Sequence, residues 1–144
     1  MREIKFRGKS PLFGTWLFGD LLRTEHTNCI CEKGSMEMDD YHIRQFADRP
    51  QFVNENTIGQ YTGLKDKNGK EVYEGDIVEV YDFTSVYASK YRGVVEMYRG
   101  SWCVVYDDDT FDFEAHPRLI FDDFADRKTE VIGNIHDNPE LINK

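Results

Sequence analysis

Four residues in the first third of the chain carry metal-ligand chemistry by type: His26, Cys29, Cys31 and His42. Two imidazoles and two thiolates are a donor set that structural zinc centres use. The spacing argues against such a centre. Structural zinc sites are built from Cys-x₂₋₄-Cys knuckles, whereas Cys29 and Cys31 in an extended strand share a face about 7 Å apart. Both cysteines are expected to act as small buried hydrophobes.

A second concentration of chemistry lies in the acidic stretch Asp107, Asp108, Asp109, Asp112 and Glu114, followed by Asp122, Asp123 and Asp126. Carboxylates at this density could hold Mg²⁺ or Ca²⁺ through oxygen ligands. The register of a calcium loop fails, however. Counted from Asp107, the sixth position is Asp112 rather than glycine and the twelfth is Arg118 rather than glutamate. A solvated turn is the plain expectation. An acidic face that fills a basic groove on a host protein, as a DNA mimic does, is the alternative.

Nucleophilic chemistry finds less support. Cys103 stands between Trp102 and Val104 in an apolar run, where a thiol stays protonated and inert. His116 precedes Pro117 with no partner indicated by spacing. The chain has no Gly-x-Ser-x-Gly, no His-Glu-x-x-His and no phosphate-binding glycine loop. The expectation is a protein that is not an enzyme, with no catalytic, cofactor-binding or metal-ligating residues assigned and no cofactor.

Basic residues cluster twice, at Arg2, Lys5, Arg7 and Lys9 and again at Lys65, Lys67 and Lys70. Small barrels often bind nucleic acid through such groups. The net charge of −9 opposes it, because a negative field repels phosphates. Nucleic acid is therefore an unfavoured partner, kept as a weak alternative, and a protein partner or a second copy of the chain is favoured.

The elements that must position these groups read mostly as strands. A chain of 144 residues has room for one domain, or one domain with a smaller β appendage. Aromatics make up 14%, with eight Tyr and ten Phe, in short runs between turn residues. Residues 2–7 alternate, with Arg2, Ile4 and Phe6 on one face and Glu3, Lys5 and Arg7 on the other. Gly8 and Pro11 mark a turn. Trp16-Leu17-Phe18 returns and is stopped by Gly19-Asp20, so the start reads as a hairpin with a longish loop. Cys29-Ile30-Cys31 and Tyr41-His42-Ile43 read as short strands with a polar loop between them.

From Thr57 the signals sharpen. Thr57-Ile58-Gly59-Gln60-Tyr61 reads as a strand with a glycine inside it. Asn68-Gly69 predicts a type I′ hairpin turn. Glu74-Gly75-Asp76 turns the chain into Ile77-Val78-Glu79-Val80-Tyr81. The stretches from Gly93 to Tyr98 and from Trp102 to Tyr106 flank Arg99-Gly100-Ser101 as the clearest hairpin. Residues 129–135 form the last long strand, and Asn138-Pro139 opens a helical turn. Thr57-Ile58-Gly59-Gln60-Tyr61 echoes Val131-Ile132-Gly133-Asn134-Ile135, either by chance or as two bending strands at the seam of a closed barrel. Inward positions are Ile58, Tyr61, Ile77, Val80, Val94, Met97, Trp102, Val104, Ile132 and Ile135.

Several of these blocks resemble one family. The opening Met1-Arg2-Glu3-Ile4-Lys5-Phe6-Arg7-Gly8-Lys9 and the following Trp16-Leu17-Phe18-Gly19-Asp20-Leu21 are similar to the start of YopX proteins, encoded largely by phages and prophages. The long block from Thr57 through Asn68-Gly69-Lys70 to Val78 and the tail from Glu130 to Leu141 are similar to the same family. Residues 23–55 and 82–127 match none of its blocks. The resemblance implies an SH3-type β-barrel in the C-terminal part and a phage or prophage origin. It implies no activity and no site residues, since the family is one of unknown function.

The resulting expectation is a mainly β protein: residues 1–55 a β-hairpin and irregular region, residues 56–144 an SH3-like β-barrel with a short C-terminal tail. Three cysteines without a framework point to a reducing compartment. The N-terminus has no apolar signal region and no run reaches the roughly 18 apolar residues of a membrane span. The bacterial cytoplasm is the expected location. The expected role is a non-enzymatic protein-interaction or self-assembling module.

Overall fold

Strands dominate because short aromatic and β-branched runs alternate with glycine turns, and the computed structural model realises this as two antiparallel sheets with almost no helix among the described residues. It describes residues 2–32, 50–82, 89–106, 118–119 and 129–142. The expected strand at Tyr41-His42-Ile43 lies outside these residues. Neither sheet closes into a barrel among the described residues. No helix there is long and apolar enough to cross a membrane. The chain divides into two compact units, Met1–Tyr61 and Thr62–Lys144.

In the first unit, β1 (Phe6–Lys9) and β2 (Trp16–Arg23) form the expected hairpin. β3 (Asn28–Cys31) pairs with β2, and the two-residue β4 (Gln51–Phe52) pairs with β3. A 3₁₀ turn (Glu55–Thr57) leads to β5 (Gly59–Lys65), whose first residues pair with β1. Leu17, Ile30 and Val53 form the core, with Phe6, Leu21 and Ile58 packed against them.

Three expectations for this unit are corrected. The first strand begins at Phe6 rather than Arg2, and Arg7, assigned to the polar face, is buried against the Trp16 ring. The second strand does not stop at Gly19-Asp20. It continues to Arg23 because Gly19 lets β3 approach: a Cβ there would lie 1.8 Å from the Cys31 carbonyl oxygen. Thr57 and Ile58 precede β5 rather than belonging to it. The Thr57 hydroxyl donates to Asn54 O at 2.6 Å and accepts from Lys9 N at 2.8 Å, which ends the 3₁₀ turn against β1.

The second unit contains the rest of β5, then β6 (Glu71–Tyr73), β7 (Asp76–Asp82), β8 (Ser89–Tyr98), β9 (Ser101–Tyr106), β10 (Arg118–Leu119) and β11 (Thr129–Asn134). Its second sheet runs β10-β9-β8-β7-β11. Val72, Val78, Val80, Val95, Trp102, Val104 and Val131 form one core.

Of the inward positions, Tyr61, Ile77, Val80, Trp102 and Val104 are buried. Ile58, Val94, Ile132 and Ile135 are only half-buried, and Met97 is exposed. The errors have two causes. On β8 the core face is set by Val95, which lies opposite Val104; Met97 shares that face but sits at the open end of the strand. On β11 a bulge between Val131 and Gly133 shifts the phase, so Val131 faces the core and Ile132 is the extra residue.

The β5–β6 turn also departs from expectation. Asn68 does not take a positive φ, as a type I′ turn requires; Gly69 does, at 82°. The reason is Asp66, whose Oδ1 accepts N–H groups from Asn68 and Lys70, each at 2.9 Å. Its Oδ2 accepts the N–H of Val131 at 3.0 Å, and Lys67 N donates to Thr129 O at 2.9 Å. One buried carboxylate thus shapes the turn and fastens it to β11.

Urea unfolding measures what these contacts contribute. Asp66→Ala leaves buried N–H groups without acceptors and is expected to cost about 3 kcal/mol or more, with Asp66→Asn intermediate because it keeps one accepting oxygen. Gly19→Ala must push β2 from β3 and is expected to cost about 3 kcal/mol in the same measurement.

Candidate functional site

Cys29 and Cys31 do share a face of β3, opposite Leu22 and Asp20, and both are buried. Burial, then the neighbouring Cys29 and Asp20, push the Cys31 thiol above its ordinary pKa, so it is a poor thiolate. His26 is exposed in the β2–β3 turn, and His42 lies outside the described residues. Among the described residues no three His, Cys, Asp or Glu side chains gather to hold a metal ion. Cys103 is buried in β9, and burial raises its pKa as well. The acidic positions Asp107, Asp108, Asp109, Asp112, Glu114, Asp122, Asp123 and Asp126, together with His116, lie outside the described residues.

The N-terminal cations pack on aromatic rings. Lys5 Nζ lies 5.1 Å from the Tyr61 ring, Arg7 4.6 Å from Trp16 and Lys9 5.7 Å from Trp16. At the second cluster, Lys67 bridges Glu130 at 2.9 Å and sits 4.8 Å from the Tyr81 ring. Its hydrogen bond to Glu130 raises its pKa. Lys65 and Lys70 stay exposed.

Register explains a charged network that spacing alone hides. β11 pairing sets Glu130 directly opposite Glu79 on β7, and like charges so placed repel. Lys67 answers Glu130. Lys90, at 2.7 Å, and Arg92, at 2.8 Å, answer the buried Glu79. Arg92 also donates to Leu141 O at 3.0 Å, so the network holds the C-terminal 3₁₀ turn (Pro139–Leu141). Burial pushes the Glu79 pKa up, but the hydrogen bonds from Lys90 and Arg92 outweigh it and leave the carboxyl below its ordinary 4.5. A carboxyl with a depressed folded pKa contributes stability above its unfolded pKa and loses it as pH falls through the folded value. Acid unfolding of Glu79→Gln is therefore expected to be less steep below pH 4.5 than that of the wild type, as followed by circular dichroism.

The feature that packing does not explain is the β1–β2 loop. Ser10-Pro11-Leu12-Phe13-Gly14-Thr15 occupies a turn where polar residues are usual, yet its tip is Leu12 and Phe13, 84% and 78% exposed. The loop is held in shape. Ser10 N donates to Thr15 O and Gly14 N to Ser10 O, both at 2.9 Å. The buried Ser10 also accepts Phe13 N on its hydroxyl at 3.3 Å, and Gly14 takes φ 65° to close the turn. Two large apolar side chains are thus displayed on a bonded frame.

A smaller exposed apolar pair tips the β8–β9 hairpin. Arg99 and Gly100, with φ 48° and 81°, make a two-residue type I′ turn. Beside it Met97 and Tyr98 are 47% and 44% exposed, with Arg99 5.2 Å from the Tyr98 ring.

Charge is unevenly divided along the chain. Residues 62–144 hold eighteen carboxylates against ten Lys and Arg, whereas residues 1–61 hold nine against eight. Sequence reading missed the apolar loop as a site. Its signal was present: Leu12-Phe13 between Pro11 and Gly14, two large apolar residues where a turn must face water.

Comparison with known proteins bears on the fold and the family. No curated protein matches the chain. Among solved structures, protein EF1440 from Enterococcus faecalis matches with a TM-score of 0.50 and 24% sequence identity, over 99% of this chain and 100% of that one. The family model described as YopX protein matches residues 5–143. Over nearly its whole length, then, the chain belongs to the YopX protein family.

Proposed function

We propose that this chain is a non-enzymatic protein-interaction module of phage or prophage origin, acting in the bacterial cytoplasm by binding a protein partner or a second copy of itself. The observation that carries this reading is the bonded loop that displays Leu12 and Phe13 to solvent. Exposed large apolar groups cost solubility, and holding them in one conformation lowers the entropy lost on binding. The second unit is read as an SH3-like scaffold. Its short antiparallel strands and the bonds from the Asp66-Lys67 turn to β11 support that reading.

A second reading rests on charge. The excess of carboxylates in residues 62–144 fits an acidic inhibitor that occupies the nucleic-acid groove of a host protein. Weak binding of nucleic acid by the chain itself is the least favoured, because that same charge opposes it.

Immobilised wild-type protein incubated with host lysate is expected to retain a defined protein set that the double variant Leu12→Ser, Phe13→Ser loses. Retention unaffected by the double substitution removes the loop from the function. Retained nucleic-acid-binding proteins that added duplex DNA displaces would replace the first reading with the inhibitor reading. Direct titration of single- and double-stranded DNA at physiological salt is expected to show no binding.

A further inference from the structure

We propose that Asn68-Gly69 is a spontaneous modification site whose deamidation is governed by the Asp66 turn, and that deamidation loosens the turn's hold on β11. The Asn-Gly pair occurs once in the chain, and both residues are exposed. Glycine after asparagine is the least hindered setting for this reaction, because no side chain crowds the attacking nitrogen. A Cβ built on Gly69 would meet no atom within 4 Å, so the turn is open to water there. In the first step the Gly69 backbone nitrogen attacks Asn68 Cγ. A C–N bond forms, the Cγ–Nδ2 bond breaks, and ammonia leaves with the proton of the attacking N–H. Water then opens the succinimide ring at either carbonyl, leaving aspartate or isoaspartate at position 68. No other reactant is needed, and water does not restore the amide.

The folded turn engages both reacting groups elsewhere. Gly69 N donates to Asp66 O at 3.0 Å. Asn68 Nδ2 donates to Glu130 Oε1 at 3.3 Å, and Asn68 N donates to Asp66 Oδ1 at 2.9 Å. Attack on Cγ therefore waits for the turn to open. The product then weakens the bonds that delayed it. A carboxylate replaces the Asn68 donor beside Glu130, and like charges repel. Lys67, 2.9 Å from the other Glu130 oxygen, tempers that repulsion without removing it. The isoaspartyl form also adds a methylene to the backbone between the N–H groups of residues 68 and 70, both held by Asp66 Oδ1. Asp66 Oδ2 holds Val131 N at 3.0 Å, so a shift of Asp66 releases β11 from the turn.

The test holds the full chain in mildly alkaline buffer, native and in guanidinium chloride, and follows position 68 by mass-spectrometric peptide mapping. Conversion is expected to be at least about tenfold faster in denaturant, because native conversion waits on turn opening. Native Glu130→Ala, with wild-type circular dichroism, loses only the exposed acceptor of the Asn68 amide. It is expected to convert about threefold faster than native wild type, the effect of one exposed hydrogen bond. Isoaspartyl protein separated by ion exchange is expected to unfold at lower urea than wild type. Its Val131 N–H is expected to exchange with solvent about tenfold faster. Asn68→Asp, which keeps the normal backbone, is expected to fall between the two. Equal conversion in native and denatured chains overturns the proposal, as does no conversion at position 68 in denaturant. Isoaspartyl protein with wild-type urea unfolding and wild-type exchange at Val131 overturns it as well.

Discussion

The Asp66 carboxylate stands where three backbone N–H groups, two from its own turn and one from a distant strand, converge. Two belong to the turn that follows it and one to Val131, sixty-five residues away. A buried charge survives only where hydrogen bonds replace its hydration, and here the backbone supplies them. The consequence spreads outward. The turn geometry is decided by Asp66 rather than by Asn68-Gly69, and β11 is anchored at the point where its bulge changes phase. Val131 then faces Val78 in the core, and Glu130 is left facing Glu79.

That last placement sets the electrostatics of the outer side of β7, β8 and β11. Two carboxylates opposed across a strand pair would destabilise it, and three cations, Lys67, Lys90 and Arg92, relieve the repulsion. Arg92 reaches further, to the carbonyl of Leu141. The tail motif contributes its own frame. Asn134 Oδ1 accepts the N–H groups of His136 and Asp137, while Asn138 Oδ1 accepts Asn134 N. Asn138 packs so closely on Gly133 that a Cβ there would lie 2.5 Å from its oxygen. Asn134, Asn138 and Gly133 therefore act as turn and bulge hardware.

What the hardware leaves displayed is then more informative about function than the family motifs are. Leu12 and Phe13 are held out to solvent by a bonded loop, whereas Met97 and Tyr98 are consecutive β8 residues on opposite faces of the sheet. The backbone of that loop is bonded into one shape.

The sequence by itself determined the strand-rich class, the N-terminal hairpin, the β8–β9 hairpin and the family, because period-two patterning, turn glycines and motif order are local signals. It also held the Leu12-Phe13 loop in plain view, as apolar residues in a turn. Only the tertiary structure decided which faces are buried and where the expected strands begin and end. Arg7 turned inward because Trp16 lies across the hairpin from its strand, and β2 ran past Gly19 because β3 needed the space of a missing side chain. Ile132 left the core because Val131 is tied to Asp66. Each outcome depends on a partner far away in sequence, and no local pattern carries that information.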